Sequence, residues 1–246
     1  MIRFITIITF ICLFFAVSIL IFPILLLVGL FSKKARDVTS FHIVKWVFKV
    51  VLFMAGTKVT VKGLENIPKD EPVLYIGNHR SVFDIILGYR YIPYRTGFVS
   101  KKEVKSKPFL AQWMWFMNCL FLDREDIKAG LQMILDAIEL IKSGVSVFIF
   151  PEGTRSKVEG EMLEFKEGSF KIATKSGCPI IPVAFSGTSA LFEDQLPKVR
   201  PGHVTVEFCK PIYPKELSRD EQKTLGKYTQ NIIKETLEKN NCQLKS

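Results

Sequence analysis

The sequence predicts an α/β fold, with a mixed, largely parallel sheet flanked by helices and an N-terminal membrane-embedded helical segment. Three observations predict it. Short β-branched and aromatic runs alternate with helical spacings after Thr57. Residues Phe4 to Phe31 carry no charge, a stretch longer than the ~20 residues of a spanning helix. Several apolar runs also end abruptly in charged and hydroxyl residues, and the carboxyl ends of strands are where open α/β sheets bind ligands. The 246 residues suffice for one α/β domain with an appendage and are too few for two independent cores.

The N-terminal segment comes first. A cleaved leader would have an apolar core of ~7–15 residues and a small-residue cleavage site. Val28-Gly29-Leu30-Phe31-Ser32-Lys33 offers no such site, so retention as an anchor is expected. Pro23 is expected to divide the segment, since proline lacks the N–H that a helix interior uses. A second apolar stretch, Phe41 to Gly56, carries His42, Lys45 and Lys49 at helical spacing and reads as an amphipathic interfacial helix. Two geometries fit: a spanning first helix with an interfacial second, or a hairpin dipping into one leaflet. In the first, the basic residues after Phe31 put the remainder on the cytoplasmic side, and a hairpin with a cytosolic domain gives the same answer. The expected division is residues 1–56 as membrane-anchoring helices and 57–246 as the α/β domain.

Seven strands are expected: Val59–Val61, Val73–Ile76, Thr96–Val99, Cys119–Leu122, Val145–Phe150, Ile180–Phe185 and Val204–Phe208. The clearest helix between them has Ile127, Leu131, Ile134, Ile138 and Ile141 at spacings of four and three, stopping near Gly144. A last helix begins at Ser218, with Glu221 at capping-box spacing.

Net charge is +10, from 34 basic and 24 acidic side chains. One basic stretch, Lys33 to Lys62, faces only Asp37 and abuts the apolar segment, which favours an anionic lipid surface over nucleic acid as partner. A second, Arg95 to Lys107, faces only Glu103. It fits either a solvated face or attraction for an anionic donor. The five cysteines are odd in number and irregular in spacing, so no disulfide framework is expected.

Three clusters can carry chemistry. In Asn78-His79-Arg80-Ser81-Val82-Phe83-Asp84, a strand ends at Gly77 and a helix follows. Ser81 and Asp84 have capping-box spacing, and His79 alone would pass for a loop histidine. Together they offer more: the Asp84 carboxylate can reach back to the imidazole Nδ1–H, leaving Nε2 as a general base. No Gly-x-Ser-x-Gly turn or catalytic cysteine context supplies a nucleophile, so a substrate hydroxyl is the candidate. In Phe150-Pro151-Glu152-Gly153-Thr154-Arg155-Ser156, Gly153 would let backbone approach a ligand and Arg155 could grip a phosphate with two parallel hydrogen bonds. A surface turn with Glu152 paired to Arg155 fits equally well. Asp123-Arg124 ends a third apolar strand, where a helix entry is the alternative. No His/Cys cluster has metal-ligand spacing, and neither metal nor cofactor is expected.

These blocks, followed by Ile181-Pro182-Val183, resemble in order and spacing the glycerolipid acyltransferase family, and most nearly its 1-acyl-sn-glycerol-3-phosphate (lysophosphatidate) acyltransferases. The resemblance covers roughly Gly63 to Pro211. It implies acyl transfer from acyl-CoA or acyl-acyl carrier protein to the 2-hydroxyl of membrane-borne 1-acylglycerol-3-phosphate, giving phosphatidate. Glycerol-3-phosphate or another lysophospholipid is the alternative acceptor. It further implies His79 as base and Asp84 as its partner. Arg124, Glu152, Gly153, Thr154 and Arg155 match its phosphate-binding positions, and Pro182 a proline linked to the acyl-donor pocket. One departure is Asn118, where the family usually has glycine six residues before the arginine.

Overall fold

The computed structural model describes residues 1–158 and 161–245. Two antiparallel-connected long helices, α1 (Ile2–Phe31) and α2 (Lys33–Ala55), lead into β1 (Thr57–Lys62). Then follow β2 (Leu74–Gly77), α3 (Val82–Tyr91), β3 (Thr96–Lys101), α4 (Leu110–Phe116), β4 (Leu120–Leu122), α5 (Ile127–Lys142) and β5 (Ser146–Ile149). The chain ends with α6 (Lys171–Ser176), β6 (Ile180–Ser186), β7 (Gly202–Phe208), α7 (Arg219–Lys223) and α8 (Leu225–Lys245).

The seven strands form one sheet in the order β1-β7-β6-β2-β5-β3-β4. Strands β6, β2, β5, β3 and β4 are mutually parallel, so their carboxyl ends share one edge. Strand β7 runs antiparallel to β6, and β1 runs parallel to β7. All seven expected strands are present, and the sheet is mixed and largely parallel as expected.

Alternation along the strands divides the core in two. Tyr75, Phe148, Ile181, Val183 and Phe185 face a layer made by α1 to α4. Leu74, Ile76, Val147, Ile149, Ile180 and Ala184 face α5, α6 and α8. On α5 the expected stripe is only half buried. Ile138 and Ile141 are in the core with Met133 and Ala137, whereas Ile127 and Leu131 are exposed at the end nearest the strand tips.

The helical pair departs from expectation twice. Helix α1 runs unbroken through Pro23, with Phe14 and Phe22 before it packed on Trp113 and Phe116 of α4. Helix α2 begins at Lys33, eight residues before the expected apolar start, with Ser32 capping it through the Ala35 N–H. Its Phe41, Val44, Val47, Val51 and Ala55 form a stripe packed against the domain, while His42, Trp46, Lys49 and Phe53 point outward. Helix α1 also lies on the domain: Phe14 stacks on Trp113 and Phe15 on Phe109, Phe22 meets Trp113 at a tilt, and Trp113 Nε1 donates to Ser18 Oγ at 2.9 Å. Trp113 is therefore core, whereas Trp115 is exposed with the Arg36 guanidinium over its ring at 4.5 Å.

Asn118 explains its own departure from the family pattern. Its φ is +56°, the left-handed conformation that glycine adopts freely and asparagine tolerates better than other side chains. The side chain also gains a bond, Nδ2 donating to Asp37 Oδ2 of α2 at 3.1 Å.

Candidate active site

The shared carboxyl edge of β2, β5 and β6 brings the sequence clusters together. Gly77 ends β2, and Asn78 fastens the following loop to β6: its Nδ2 donates to Phe185 O at 3.1 Å, and Phe185 N donates to its Oδ1 at 2.9 Å. This buried amide holds the start of the His79 loop as a further ladder rung would.

His79 and Asp84 meet. His79 Nδ1 lies 3.0 Å from Asp84 Oδ2, and that same oxygen accepts from the backbone N–H groups of Arg80 and Ser81, both at 2.7 Å. The capping box is present too, with Ser81 Oγ accepting from Phe83 N. Both expected contacts of Asp84 are present: one fully buried carboxylate caps α3 and hydrogen-bonds the imidazole. With Nδ1 donating to Asp84, Nε2 carries the lone pair, and it has no hydrogen-bond partner among the described residues. The Phe150 ring stacks on the imidazole at 4.1 Å and 19°, fixing its plane.

The Pro151–Ser156 turn is sewn to His79 from both sides. Glu152 Oε1 accepts from His79 N at 2.7 Å, and Ser156 N donates to His79 O at 2.9 Å. Glu152 Oε2 accepts from Leu163 N at 2.9 Å, so both of its oxygens are committed to backbone. Glu152 does not pair with Arg155; it holds two loops together. Burial pushes its carboxyl above the ordinary value, against the pull of the two N–H groups. Gly153 has φ +74°, which lets the turn double back beneath Lys166. Thr154 and Arg155 are exposed beyond it.

Arg155 Nη1 instead pairs with Glu193 at 2.8 Å. Glu193, on the β6–β7 connection, also accepts from Val82 N at 2.8 Å and from Ser81 Oγ at 2.5 Å. The motifs gave no signal for Glu193, which lies 111 residues from Val82 in a stretch without recognisable spacing.

Arg124 sits at the carboxyl end of β4, on the same edge but two strands out from β5. Its guanidinium makes no hydrogen bond among the described residues. Asp123 beside it is held by Lys102 at 2.6 Å, which keeps the Asp123 carboxyl below its ordinary value. Pro182 is buried in β6, in register with Ile76. Its carbonyl accepts from Cys209 N just past the end of β7, a place where its missing N–H costs no ladder bond.

A family model described as Acyltransferase matches residues 58–186, which contain the His79, Arg124, Glu152–Arg155 and Pro182 positions. The chain is 33% identical over 213 residues to a 1-acyl-sn-glycerol-3-phosphate acyltransferase of Brassica napus, covering 82% of this chain and 60% of that one. It is 32% identical over 198 residues to the 1-acyl-sn-glycerol-3-phosphate acyltransferase of Saccharomyces cerevisiae, covering 78% and 64%. The chain thus spans a little under two thirds of the length of these curated relatives. Among solved structures it is similar to the 1-acyl-sn-glycerophosphate (LPA) acyltransferase PlsC of Thermotoga maritima, with a TM-score of 0.77, 27% identity and 97% of each chain covered. A family match over more than half the chain, on a sheet whose carboxyl edge holds the oriented histidine, establishes that this chain belongs to the acyltransferase family.

Proposed function

We propose that the protein transfers an acyl group from an acyl thioester to the 2-hydroxyl of 1-acylglycerol-3-phosphate, giving phosphatidate. The observation that carries this is the His79–Asp84 pair, with Nδ1 committed to a buried carboxylate and Nε2 left for a proton. The Brassica, yeast and Thermotoga relatives are named for the same acceptor, which supports this reading.

His79 Nε2 takes the proton of the acceptor hydroxyl as that oxygen attacks the thioester carbonyl. Asp84 stabilises the imidazolium, and the proton then goes to the departing thiolate. General-base assistance of this kind is worth ~10²–10⁴-fold in rate. Arg155, Thr154, the Gly153 backbone and Arg124 hold the phosphate. Glu152 serves the same block by clamping it to His79, and Pro182 forms part of the sheet floor beneath the acyl-donor pocket. The donor is acyl-CoA or an acyl carrier protein.

Residues 1–56 are the membrane-anchoring part and residues 57–246 the catalytic domain, on the cytoplasmic side. Helix α1 is ~45 Å long at 1.5 Å per residue, and it contacts the domain along most of that length, from Phe4 on Phe192 to Phe22 on Phe116. That docking favours a hairpin laid into one leaflet. Ile5, Ile8, Leu13, Leu20, Leu27 and Phe31 are exposed for lipid, beside the Lys33–Lys34 pair that anionic head groups attract.

The test supplies purified wild type and His79→Ala with an acyl thioester and lysophosphatidate, following thiol release and phosphatidate together. Phosphatidate from wild type and a loss of at least about 10²-fold in folded His79→Ala are expected. Thiol release without phosphatidate would instead identify a thioesterase.

A further inference from the structure

Arg155 can grip a phosphate productively only if it stands at a fixed separation from His79. Its side chain is long, half exposed and borne on a polar turn, so nothing within its own block holds it. Glu193 holds it from outside. The Glu193 side chain is only 15% exposed, and its carboxylate takes three donors: Arg155 Nη1, Val82 N and Ser81 Oγ. The last two open the helical turn whose Asp84 orients His79. One carboxylate therefore ties the guanidinium to the same turn that sets the imidazole.

The connection is braced from behind. Leu191 is buried, Arg200 N donates to Leu191 O, and the Phe192 ring stacks on Phe4 of α1 at 5.8 Å and 17°. Arg155 uses only Nη1 on Glu193, so Nη2 and Nε keep the planar pair of donors that suits a phosphate.

We propose that Glu193 is a positioning residue for the acceptor: it fixes Arg155 relative to His79 and so aligns the acceptor hydroxyl with the base. This rests on Arg155 as phosphate ligand. The competing possibility, that Glu193 occupies the phosphate's place and must be displaced, predicts the opposite sign. Removing a displaceable anion would tighten acceptor binding, whereas removing a tether weakens it.

The experiment compares wild type, Glu193→Ala, Glu193→Gln, Arg155→Ala and Arg155→Ala/Glu193→Ala, each full length and reconstituted in lipid. KM and kcat are measured separately for lysophosphatidate and for acyl-CoA, with thermal melts on every variant. Glu193→Ala is expected to raise the acceptor KM by roughly ten- to a hundredfold, the worth of a hydrogen bond to a charged group. The acyl-CoA KM stays within about twofold. Glu193→Gln keeps an acceptor oxygen without the charge and gives an intermediate rise; if Glu193→Ala does not fold, it takes that place in both backgrounds. In the Arg155→Ala background the Glu193 substitution adds nothing further, since the tether no longer has anything to hold. Equal losses in both backgrounds would overturn the proposal and leave Glu193 as a helix cap. A lower acceptor KM would overturn it in favour of displacement. An Arg155→Ala enzyme with wild-type acceptor KM would fail the phosphate assignment itself, a result separable from either.

Discussion

Asp84 Oδ2 accepts three hydrogen bonds, so removing its charge disturbs two things at once. Asp84→Asn should lower kcat by about 10²–10⁴-fold and also weaken the α3 cap. Ser81→Ala should lower stability by about 0.5–2 kcal/mol in denaturant titration while leaving the His79–Asp84 bond in place. Asn118 tests backbone strain. Asn118→Ala should destabilise by about 1–2 kcal/mol because a Cβ without a compensating amide is held at positive φ. Asn118→Gly should cost less, losing the bond to Asp37 but relaxing the turn. Glu152 carries a pH signature. Its carboxyl lies above the ordinary value in the folded protein, so the folded state binds the proton more tightly than the unfolded one. Its contribution to stability is therefore present at low pH and falls as pH rises through the folded value. Glu152→Gln should flatten that part of the melting-temperature profile. At this scale the sequence was informative about the His79–Asp84 contact, whose spacing is local, and misleading about Arg155, whose partner is Glu193 and not the neighbouring Glu152. It was silent on Glu193, because a contact across 111 residues leaves no periodic trace.

The strands were legible because β1 and β7 alternate β-branched with polar residues, while β2, β5 and β6 are apolar runs buried on both faces. The helices were harder. The spacing in α5 reads as a core stripe from Ile127 onward, yet Ile127 is 91% exposed. Spacing shows that a face is apolar and not what covers it. The α1–α2 pair shows the same limit. Its length and composition are those of helices long and apolar enough to cross a membrane, but its docking on α4 depends on partners more than 80 residues away. Three tryptophans report this docking. Trp113 is 3% exposed, whereas Trp46 and Trp115 are 58% and 54% exposed. In single-tryptophan variants reconstituted with brominated lipid, Trp46 on the outward face of α2 should be strongly quenched and Trp113 barely so.

At the scale of the whole molecule, the helical pair and the sheet share one apolar layer. Phe41, Val44 and Val51 of α2 lie in the same cluster as Tyr75, Phe83 and Phe148. Deleting residues 2–56 would expose that face of α3 and the sheet. Such a truncation should aggregate or bind a hydrophobic dye on expression, and a soluble, active 57–246 fragment would show that the layer is dispensable. An anionic lipid surface as partner of the positive stretch from Lys33 to Lys62 predicts that partition onto anionic vesicles weakens between low and physiological ionic strength.

The stacking of Phe4 on Phe192 has one more consequence. It joins α1 to the residue beside Glu193, so on the proposed function, with α1 in a bilayer and Arg155 on the acceptor phosphate, the seating of α1 and the grip on the acceptor would be thermodynamically linked through that contact. Linkage is reciprocal: whatever factor a change of bilayer thickness or curvature imposes on acceptor affinity, the bound acceptor imposes on the partition of α1 into that bilayer. On that reading the membrane would act as an effector as well as a solvent.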